Sequence, residues 1–315
     1  MRTLVPQVRL GSPDLDNFKY NMQGGFAGPN AQGARGVVLP LDDDATEAIR
    51  EVIWRETLKR YEFARNMYDQ AKTRATVSVA DEDKAPCFSD APVEHYYEAP
   101  LAAGRQKMDI KRAWEQRLNE VSAVFKACPE LSEGSASFSF QVLRTYFVNS
   151  EGSVVVQNRI ATRVMLMASL KAVDGMELPL NRDYFAYTPD DLPDNDRMIA
   201  DARDMIKRLL ALRDAPVADP YTGPAVLSGP ASGVFFHEIF GHRLEGHRLK
   251  SGGQTFKKMV GEQVLPVEFQ VYCAPLLKSY ADTDLYGHYV YDDEGVKARR
   301  VDNVVNCVLK EFLMS

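Results

Sequence analysis

This sequence has little of several features that mark particular classes of protein. Its four cysteines, Cys87, Cys128, Cys273 and Cys307, stand far apart without C-x-x-C spacing, which argues against a disulfide scaffold or a zinc knuckle. No window has the roughly 20 apolar residues that a transmembrane helix needs, and the N-terminus lacks the zones of a signal peptide. The formal net charge of -6 gives no sign of a basic face for nucleic acid or anionic membranes. We therefore expect reduced thiols, and neither nucleic acid nor a membrane as partner.

The sequence has an ordinary globular composition, and the spacing of its hydrophobic residues changes clearly between helical and strand-like periods along the chain. Its 315 residues, 45% of them hydrophobic, suffice for one large or two medium domains. Helical spacing predicts helices over 42–71, 109–131 and 196–216, and period-two alternation over 135–180 predicts an antiparallel meander. Residues 81–105, including His95, are predicted to form an extended surface connection. In the first helix we expect an apolar stripe to pack in the core: Ile49, Val52, Ile53, Trp54, Tyr61, Ala64, Met67, Tyr68 and Ala71.

These patterns predict an α+β fold, in which an antiparallel β-sheet flanked by long helices precedes a motif helix and a β-rich region. We divide the chain into an N-terminal α+β domain over 1–225, a motif helix with its connection over 226–260, and the beginning of a β-rich C-terminal domain over 261–315, which we expect to be incomplete. A glycine-rich loop is predicted over 18–36, ahead of the first helix.

The stretch GVFFHEIFGHRLEGHRLK, residues 233–250, holds three of the five histidines. Within it, His237, Glu238 and His242 form H-E-x-x-x-H, one residue longer than the H-E-x-x-H of ordinary zinc peptidases. On a regular α-helix, positions five apart differ by about 140° and do not face one ion. We therefore predict a π-type turn that brings both imidazoles to one side, with Gly241 lowering the resistance to that distortion.

Two imidazole ligands favour Zn²⁺, and the carboxylate beside them then has a chemical role. Glu238 is the candidate general base, which takes a proton from the metal-bound water as it attacks a carbonyl. Arg243 is near enough in sequence to orient an oxyanion, Glu245 is an alternative ligand, and His247 is predicted to support the site or face solvent. The competing interpretation is a regular helix on which Glu238, His242 and Glu245 form a solvated polar stripe. The spacing alone leaves both interpretations open.

With these residues the sequence resembles the TldD/PmbA family of metallopeptidases, whose active members carry H-E-x-x-x-H. Segments that look like family landmarks, in the family's order, are YFVNSEG, YTGPAVLSGPASGVFFHEIFGHRLEG, SGGQTFKKMVGEQVLP, DDEGVKARRV and NCVLKEFLMS. The resemblance implies a zinc-dependent peptidase for short or unfolded peptides, in which His237 and His242 bind zinc and Glu238 is the base. It also implies a homodimer, or a heterodimer with a related subunit that lacks the motif. We expect a cytoplasmic location.

The resemblance also implies a third zinc ligand that this chain does not supply. In the family, a cysteine beyond the DDEG-like segment completes the site, and neither Cys273 nor Cys307 matches its position. Family members have more chain at both ends, so we expect a fragment that lacks the N-terminal end and the C-terminal domain. Two other functions stay open, namely a noncatalytic subunit of such a dimer and a metal-dependent hydrolase acting on a non-peptide amide.

Overall fold

The computed structural model describes residues 1–19, 36–42, 44–77, 86–101, 106–249, 256–266 and 268–314. In chain order the helices are α1 (Thr46–Val77), α2 (Gln106–Lys126), α3 (Asn195–Arg213) and α4 (Gly229–Ile239). The strands are β1 (Thr3–Leu4), β2 (Gly11–Ser12), β3 (Leu15–Asp16), β4 (Val37–Val38), β5 (His95–Tyr97), β6 (Leu131–Val148), β7 (Val154–Lys171), β8 (Glu177–Ala186), β9 (Val271–Cys273), β10 (Ser279–Tyr280), β11 (Thr283–Asp284), β12 (Val301–Val305) and β13 (Val308–Leu309). The predicted glycine-rich loop lies outside the described residues, except at its two ends.

The chain divides into two compact units, each assembled from separate segments. Unit 1 consists of Met1–Pro92, Leu227–Cys273 and Val301–Met314, and unit 2 consists of Val93–Val226 and Ala274–Arg300. Both units combine helices with strands, so the chain has the predicted α+β fold. The consecutive domains with boundaries at residues 225 and 260 remain a prediction.

Unit 2 is built around a sheet whose central strand is β7. On one side, β6 pairs with β7 antiparallel from Val148↔Val154 to Leu131↔Leu170, and β8 pairs antiparallel on the other side. This confirms the predicted antiparallel meander. The short strand β5 runs parallel to β7, with His95 opposite Val154, so the predicted extended connection contains a strand that the sequence did not identify. A strand of three residues is too short for alternation to reveal it.

Helices α2 and α3 pack against this sheet and against each other. Trp114 of α2 stacks on Phe138 of β6, with ring centroids 4.3 Å apart. Helix α2 ends before Pro129, as predicted, because a proline ring prevents the helix from continuing. The buried core that joins helices and sheet contains Trp114, Val121, Phe125, Val164, Leu166, Ala168, Leu170, Ala186, Leu192, Met198, Ala202, Met205 and Leu209.

Unit 1 contains α1, α4 and a three-stranded sheet in the order β13–β12–β9. The hairpin between β12 and β13 turns through Asn306 and Cys307, whose φ angles of 49° and 69° are those of a type I′ turn. The predicted strands after residue 262 are therefore present, although they are short. The core of this unit consists of Phe240, Leu244, Phe256, Val304, Leu309 and Phe312.

Helix α1 is confirmed, but the burial predicted for its apolar stripe is not. Its buried residues are Ala64 and Ala71, whereas Trp54 is 70% exposed. Ile53 and Tyr61 are exposed as well. The prediction that Trp54 packs in the core was wrong, because helical spacing decides which residues share a face but not whether another element covers that face.

No helix in the described ranges combines the length and apolar character needed to cross a bilayer. All four cysteines are free thiols, and Cys307 is the buried one. Burial raises the pKa of the Cys273 thiol, which favours its protonated form at neutral pH.

Candidate metal centre

The motif residues lie where helix α4 ends. Phe240 follows the last helical residue with φ −116° and ψ −48°. Its backbone N–H donates to Phe236 O at 3.0 Å, and the N–H of Arg243 donates to Phe240 O at 3.0 Å. The first is an α-helical bond to the fourth preceding residue, and the second is a 3-10 bond to the third. The backbone between the two histidines is therefore tightened.

The predicted π-type turn was wrong. A 3-10 segment, Gly241–Leu244, follows α4, because Phe240 and Leu244 are drawn into the core of unit 1, where they are 5% and 2% exposed. Because the regular helix ends between them, His237 and His242 are not separated by the rotation of about 140° that five residues of α-helix would give. Gly241 is not needed for steric reasons, since an added Cβ would meet its nearest atom, Phe236 O, at 3.7 Å.

The two imidazole rings lie beside each other despite their spacing in sequence. Their centroids are 4.5 Å apart, with 70° between the ring planes. Glu238 Oε1 lies 4.0 Å from His237 Nε2, and Glu238 Oε2 lies 3.7 Å from His242 Nε2. One ligand atom from each of the three residues lies within 4.8 Å of the others. The three residues singled out from the sequence thus converge at one place.

This set of donor atoms fits a zinc ion. Zinc binds imidazole nitrogen and carboxylate oxygen at about 2.0–2.2 Å, which places neighbouring donors about 3.3–3.6 Å apart in a tetrahedral site. The side chains of His237 and Glu238 are 64% and 62% exposed. His242 is 18% exposed and is the more fixed ring. Among the described residues no cysteine joins this group, and the third protein ligand stays a prediction.

Comparison with known proteins identifies the family. Residues 220–315 match the family model of the PmbA/TldA metallopeptidase C-terminal domain. Residues 220–315 therefore match the C-terminal domain of the TldD/PmbA family, which supports the predicted family assignment. The family name denotes a metallopeptidase and thereby implies a metal, in agreement with the donor atoms that meet at the end of α4.

Two solved structures, with TM-scores of 0.51 and 0.50, share the fold of this chain. A candidate modulator of DNA gyrase from Thermotoga maritima has a TM-score of 0.51 and 17% identity, covering 79% of this chain and 54% of that one. A second candidate modulator of DNA gyrase, from Bacteroides thetaiotaomicron, has a TM-score of 0.50 and 12% identity, with coverages of 82% and 56%. TldE from Thermococcus kodakarensis gives a TM-score of 0.46 and 17% identity, with coverages of 80% and 54%. The chain spans about half the length of these structures, and no curated protein matches it.

In this family member, His242 is also contacted at its Nδ1 edge. Glu245 Oε1 lies 2.6 Å from His242 Nδ1, and Arg248 Nε donates to Glu245 Oε2 at 2.5 Å. Partial burial by itself would raise the pKa of Glu245, but the hydrogen bonds from His242 and Arg248 outweigh it and lower that pKa. The carboxylate is therefore ionised at neutral pH and contacts the ring edge opposite to Glu238. The sequence suggested Glu245 only as an alternative ligand, although its three-residue spacing from His242 is the signal for this contact.

Arg243, which the sequence suggested could orient an oxyanion, makes no described contact with the donor group. Arg243 is exposed, and its guanidinium carbon lies 5.8 Å from the centroid of the Phe256 ring. This is a surface position that covers part of the core of unit 1. The side chain of His247 lies outside the described residues.

Proposed function

We propose that this member of the TldD/PmbA family is a zinc-dependent metallopeptidase that hydrolyses short or unfolded peptides. In this proposal, His237 and His242 hold the zinc and Glu238 is the general base. The supporting observation is that one carboxylate faces the Nε2 atoms of both rings, at 4.0 and 3.7 Å. A helix that served only for packing would gain nothing from an acid set between two imidazoles.

The proposed chemistry divides between the ion and the side chains. Zn²⁺ held by His237 and His242 would lower the pKa of a bound water to about 7 and would stabilise negative charge on the peptide oxygen. Glu238 accepts a proton at a carboxylate oxygen as the water oxygen bonds to the carbonyl carbon. It then donates that proton to the amine nitrogen as the C–N bond breaks, without a covalent enzyme intermediate. The high exposure of His237 and Glu238 gives an extended peptide access to this carboxylate.

The test combines zinc content with cleavage of a peptide library, followed by mass spectrometry. Glu238→Gln should retain zinc and lower the cleavage rate by about 10²- to 10⁴-fold, since it removes only the proton acceptor. His237→Ala and His242→Ala should lose zinc. Glu262→Gln, an exposed carboxylate of the same unit, is the matched control and should behave like the natural chain. Unchanged cleavage in Glu238→Gln rejects the base, and loss of zinc from that variant shows a ligand instead.

A second candidate function is a noncatalytic subunit of a TldD/PmbA-type dimer. It is favoured by the composition of the donor group, which among the described residues contains two imidazoles and one carboxylate, without a third ligand besides the proposed base. A protein that binds no zinc, cleaves no peptide and yet associates with a related subunit would support this candidate. Size-exclusion chromatography with light scattering measures the association, and it distinguishes a homodimer, which forms in the absence of any partner, from a heterodimer with a related subunit.

A non-peptide amide substrate is a further alternative, because the same residues would serve its hydrolysis. Peptides and small amides should be compared at equal concentration with the zinc-loaded protein. We expect peptides to be cleaved with the larger kcat/KM. A reversed preference would reassign the substrate class while leaving the metal centre in place.

A further inference from the structure

The side of His242 turned away from Glu238 carries an inference beyond the proposed reaction. We propose that Glu245 is a positioning residue, which holds His242 in the tautomer with hydrogen on Nδ1 and so turns Nε2 toward the metal. This proposal rests on the proposed metal centre and adds to it a residue that does not bind the metal. It assigns Glu245 a role other than the alternative ligand suggested by the sequence.

The first argument is the hydrogen-bond chemistry of the ring. A carboxylate oxygen accepts hydrogen bonds, so the 2.6 Å contact between Glu245 Oε1 and His242 Nδ1 is a hydrogen bond when the hydrogen is on Nδ1. In a neutral imidazole with hydrogen on Nδ1, the lone pair lies on Nε2. That nitrogen faces Glu238 Oε2 at 3.7 Å, within the donor group. The two carboxylates therefore contact different edges of one ring.

Arg248 supports the carboxylate of Glu245. Its Nε donates to Glu245 Oε2 at 2.5 Å, while its Nη2 lies 3.2 Å from His242 Nδ1. A guanidinium only donates, so the Nη2 contact would be a hydrogen bond only if Nδ1 carried no hydrogen, and the shorter 2.6 Å contact with Glu245 favours the hydrogen on Nδ1. Because Arg248 and His242 donate to different oxygens, the carboxylate is fixed from two directions.

The backbone of Glu245 is held as well. It forms a parallel bridge with Leu313. On one side the N–H of Leu313 donates to Leu244 O at 2.8 Å, and on the other the N–H of Gly246 donates to Leu313 O at 2.8 Å. Both ends of Glu245 are thus set, its backbone by Leu313 and its carboxylate by Arg248. This agrees with the low exposure of His242, compared with the exposed ring of His237.

The first measurement is zinc affinity, determined by competition with a chromophoric chelator. Glu245→Ala should bind zinc about 10- to 100-fold more weakly, as expected when the outer partner of a ligand histidine is lost. Glu245→Gln should be weaker by only about fivefold, because an amide oxygen still accepts from Nδ1 although the charge is gone. Glu262→Ala is the matched control, and its zinc affinity should equal that of the natural chain.

The second measurement needs no metal. ¹⁵N NMR of the zinc-free protein, with His242 assigned through His242→Ala, should show hydrogen on Nδ1 in the natural chain. Glu245→Ala should shift the ring toward the Nε2-protonated form, and Glu245→Gln should largely restore the Nδ1 form. If Glu245→Ala does not fold, Glu245→Gln decides alone through its loss of zinc affinity.

These two measurements separate the positioning role from the proposed function. Zinc affinity and ring protonation unchanged in the Glu245 variants would overturn the positioning role, while zinc binding by the natural chain would still support a metal centre. A natural chain that binds no zinc, yet loses its Nδ1–H form in Glu245→Ala, would reject the proposed function, while the effect of Glu245 on the His242 tautomer would stand.

Discussion

At the scale of single residues, two residues of the same type can have very different neighbours in the structure. Gly241 and Gly246 both follow the motif helix, yet an added Cβ meets very different neighbours at the two sites. At Gly241 the nearest atom is Phe236 O at 3.7 Å, whereas at Gly246 the Cβ would lie 2.7 Å from Leu313 O and would collide with the sulfur of Met314. Crowding by a backbone oxygen is not relieved by a side-chain rotation.

Gly246→Ala should therefore destabilise the protein by about 1–3 kcal/mol, as overpacking does. It should also weaken zinc binding, because the Leu313 bonds beside Glu245 must shift. Gly241→Ala is the matched control and should change the free energy of unfolding by less than about 1 kcal/mol. Urea denaturation measures both variants, and equal stabilities would contradict the crowding seen at Gly246.

Asp201 in unit 2 illustrates a residue whose effect on stability depends on pH. Its Oδ2 accepts a hydrogen bond from the Tyr184 hydroxyl at 2.7 Å, and Arg182 and Arg197 lie 3.5 and 3.2 Å from its oxygens. Partial burial would raise the pKa of Asp201, but Tyr184 and the two arginines outweigh it and lower that pKa. A lowered pKa means that the folded protein favours the ionised carboxylate.

Asp201→Asn should therefore reduce the free energy of unfolding at pH 7 by about 1–3 kcal/mol. The stabilisation by Asp201 is present above its ordinary pKa and is lost as the pH falls through the lower pKa of the folded state. The difference between variant and natural chain should consequently shrink below about pH 4. Urea denaturation at pH 7 and at pH 3 checks this, and a difference that stays constant would count against it.

At the scale of elements, the helices show that a periodic stripe and a covered face are different properties. Trp54 of α1 is 70% exposed, whereas Trp114 of α2 is 3% exposed, although both stand on predicted apolar faces. Trp114 stacks on Phe138 and has the guanidinium of Arg117 3.9 Å from its ring centroid. The sheet of unit 2 thus supplies α2 with a partner surface.

Because the chain has two tryptophans, this difference can be measured by fluorescence. The Trp54→Phe variant, in which Trp114 is the remaining emitter, should resist acrylamide quenching. Trp114→Phe, which leaves Trp54, should be quenched readily and should emit at longer wavelength. Trp54→Phe should change the free energy of unfolding by less than about 0.5 kcal/mol, whereas Trp114→Ala should cost about 3–5 kcal/mol. A shielded Trp54 would show that α1 is covered in solution.

At the scale of the whole molecule, the two units have separate hydrophobic cores. Leu209 belongs to the core of unit 2 and Leu309 to that of unit 1, and both are 0% exposed. The two buried clusters share no residue. Since each unit has its own core, each can lose stability locally.

Leu209→Ala and Leu309→Ala form a matched pair, each expected to cost about 2–5 kcal/mol in its own unit. Hydrogen exchange with mass spectrometry should show faster exchange in β6, β7 and β8 for Leu209→Ala. For Leu309→Ala the faster exchange should appear in β9, β12 and β13. Equal acceleration in both units by either variant would indicate one cooperative core.

Much of the fold was predictable because local rules act within short segments. Period-two alternation identified the meander of β6, β7 and β8, and Pro129 set the end of α2. The short strand β5 and the exposed face of α1 were missed, since pairing and coverage depend on residues far away in the chain. Likewise, H-E-x-x-x-H identified His237, Glu238 and His242, but the mechanism of their convergence was predicted incorrectly.

By itself, the sequence determined the residue types and order of the motif, the α+β class and the family. Only the tertiary structure decided how the two imidazoles meet, because the burial of Phe240 and Leu244 ends the helix between them. It also decided that Glu245 contacts Nδ1 of His242, since the backbone of Glu245 is held by Leu313, which is distant in the chain, and its carboxylate by Arg248. Spacing along a chain constrains which side chains can meet, whereas packing against distant segments selects the arrangement that forms.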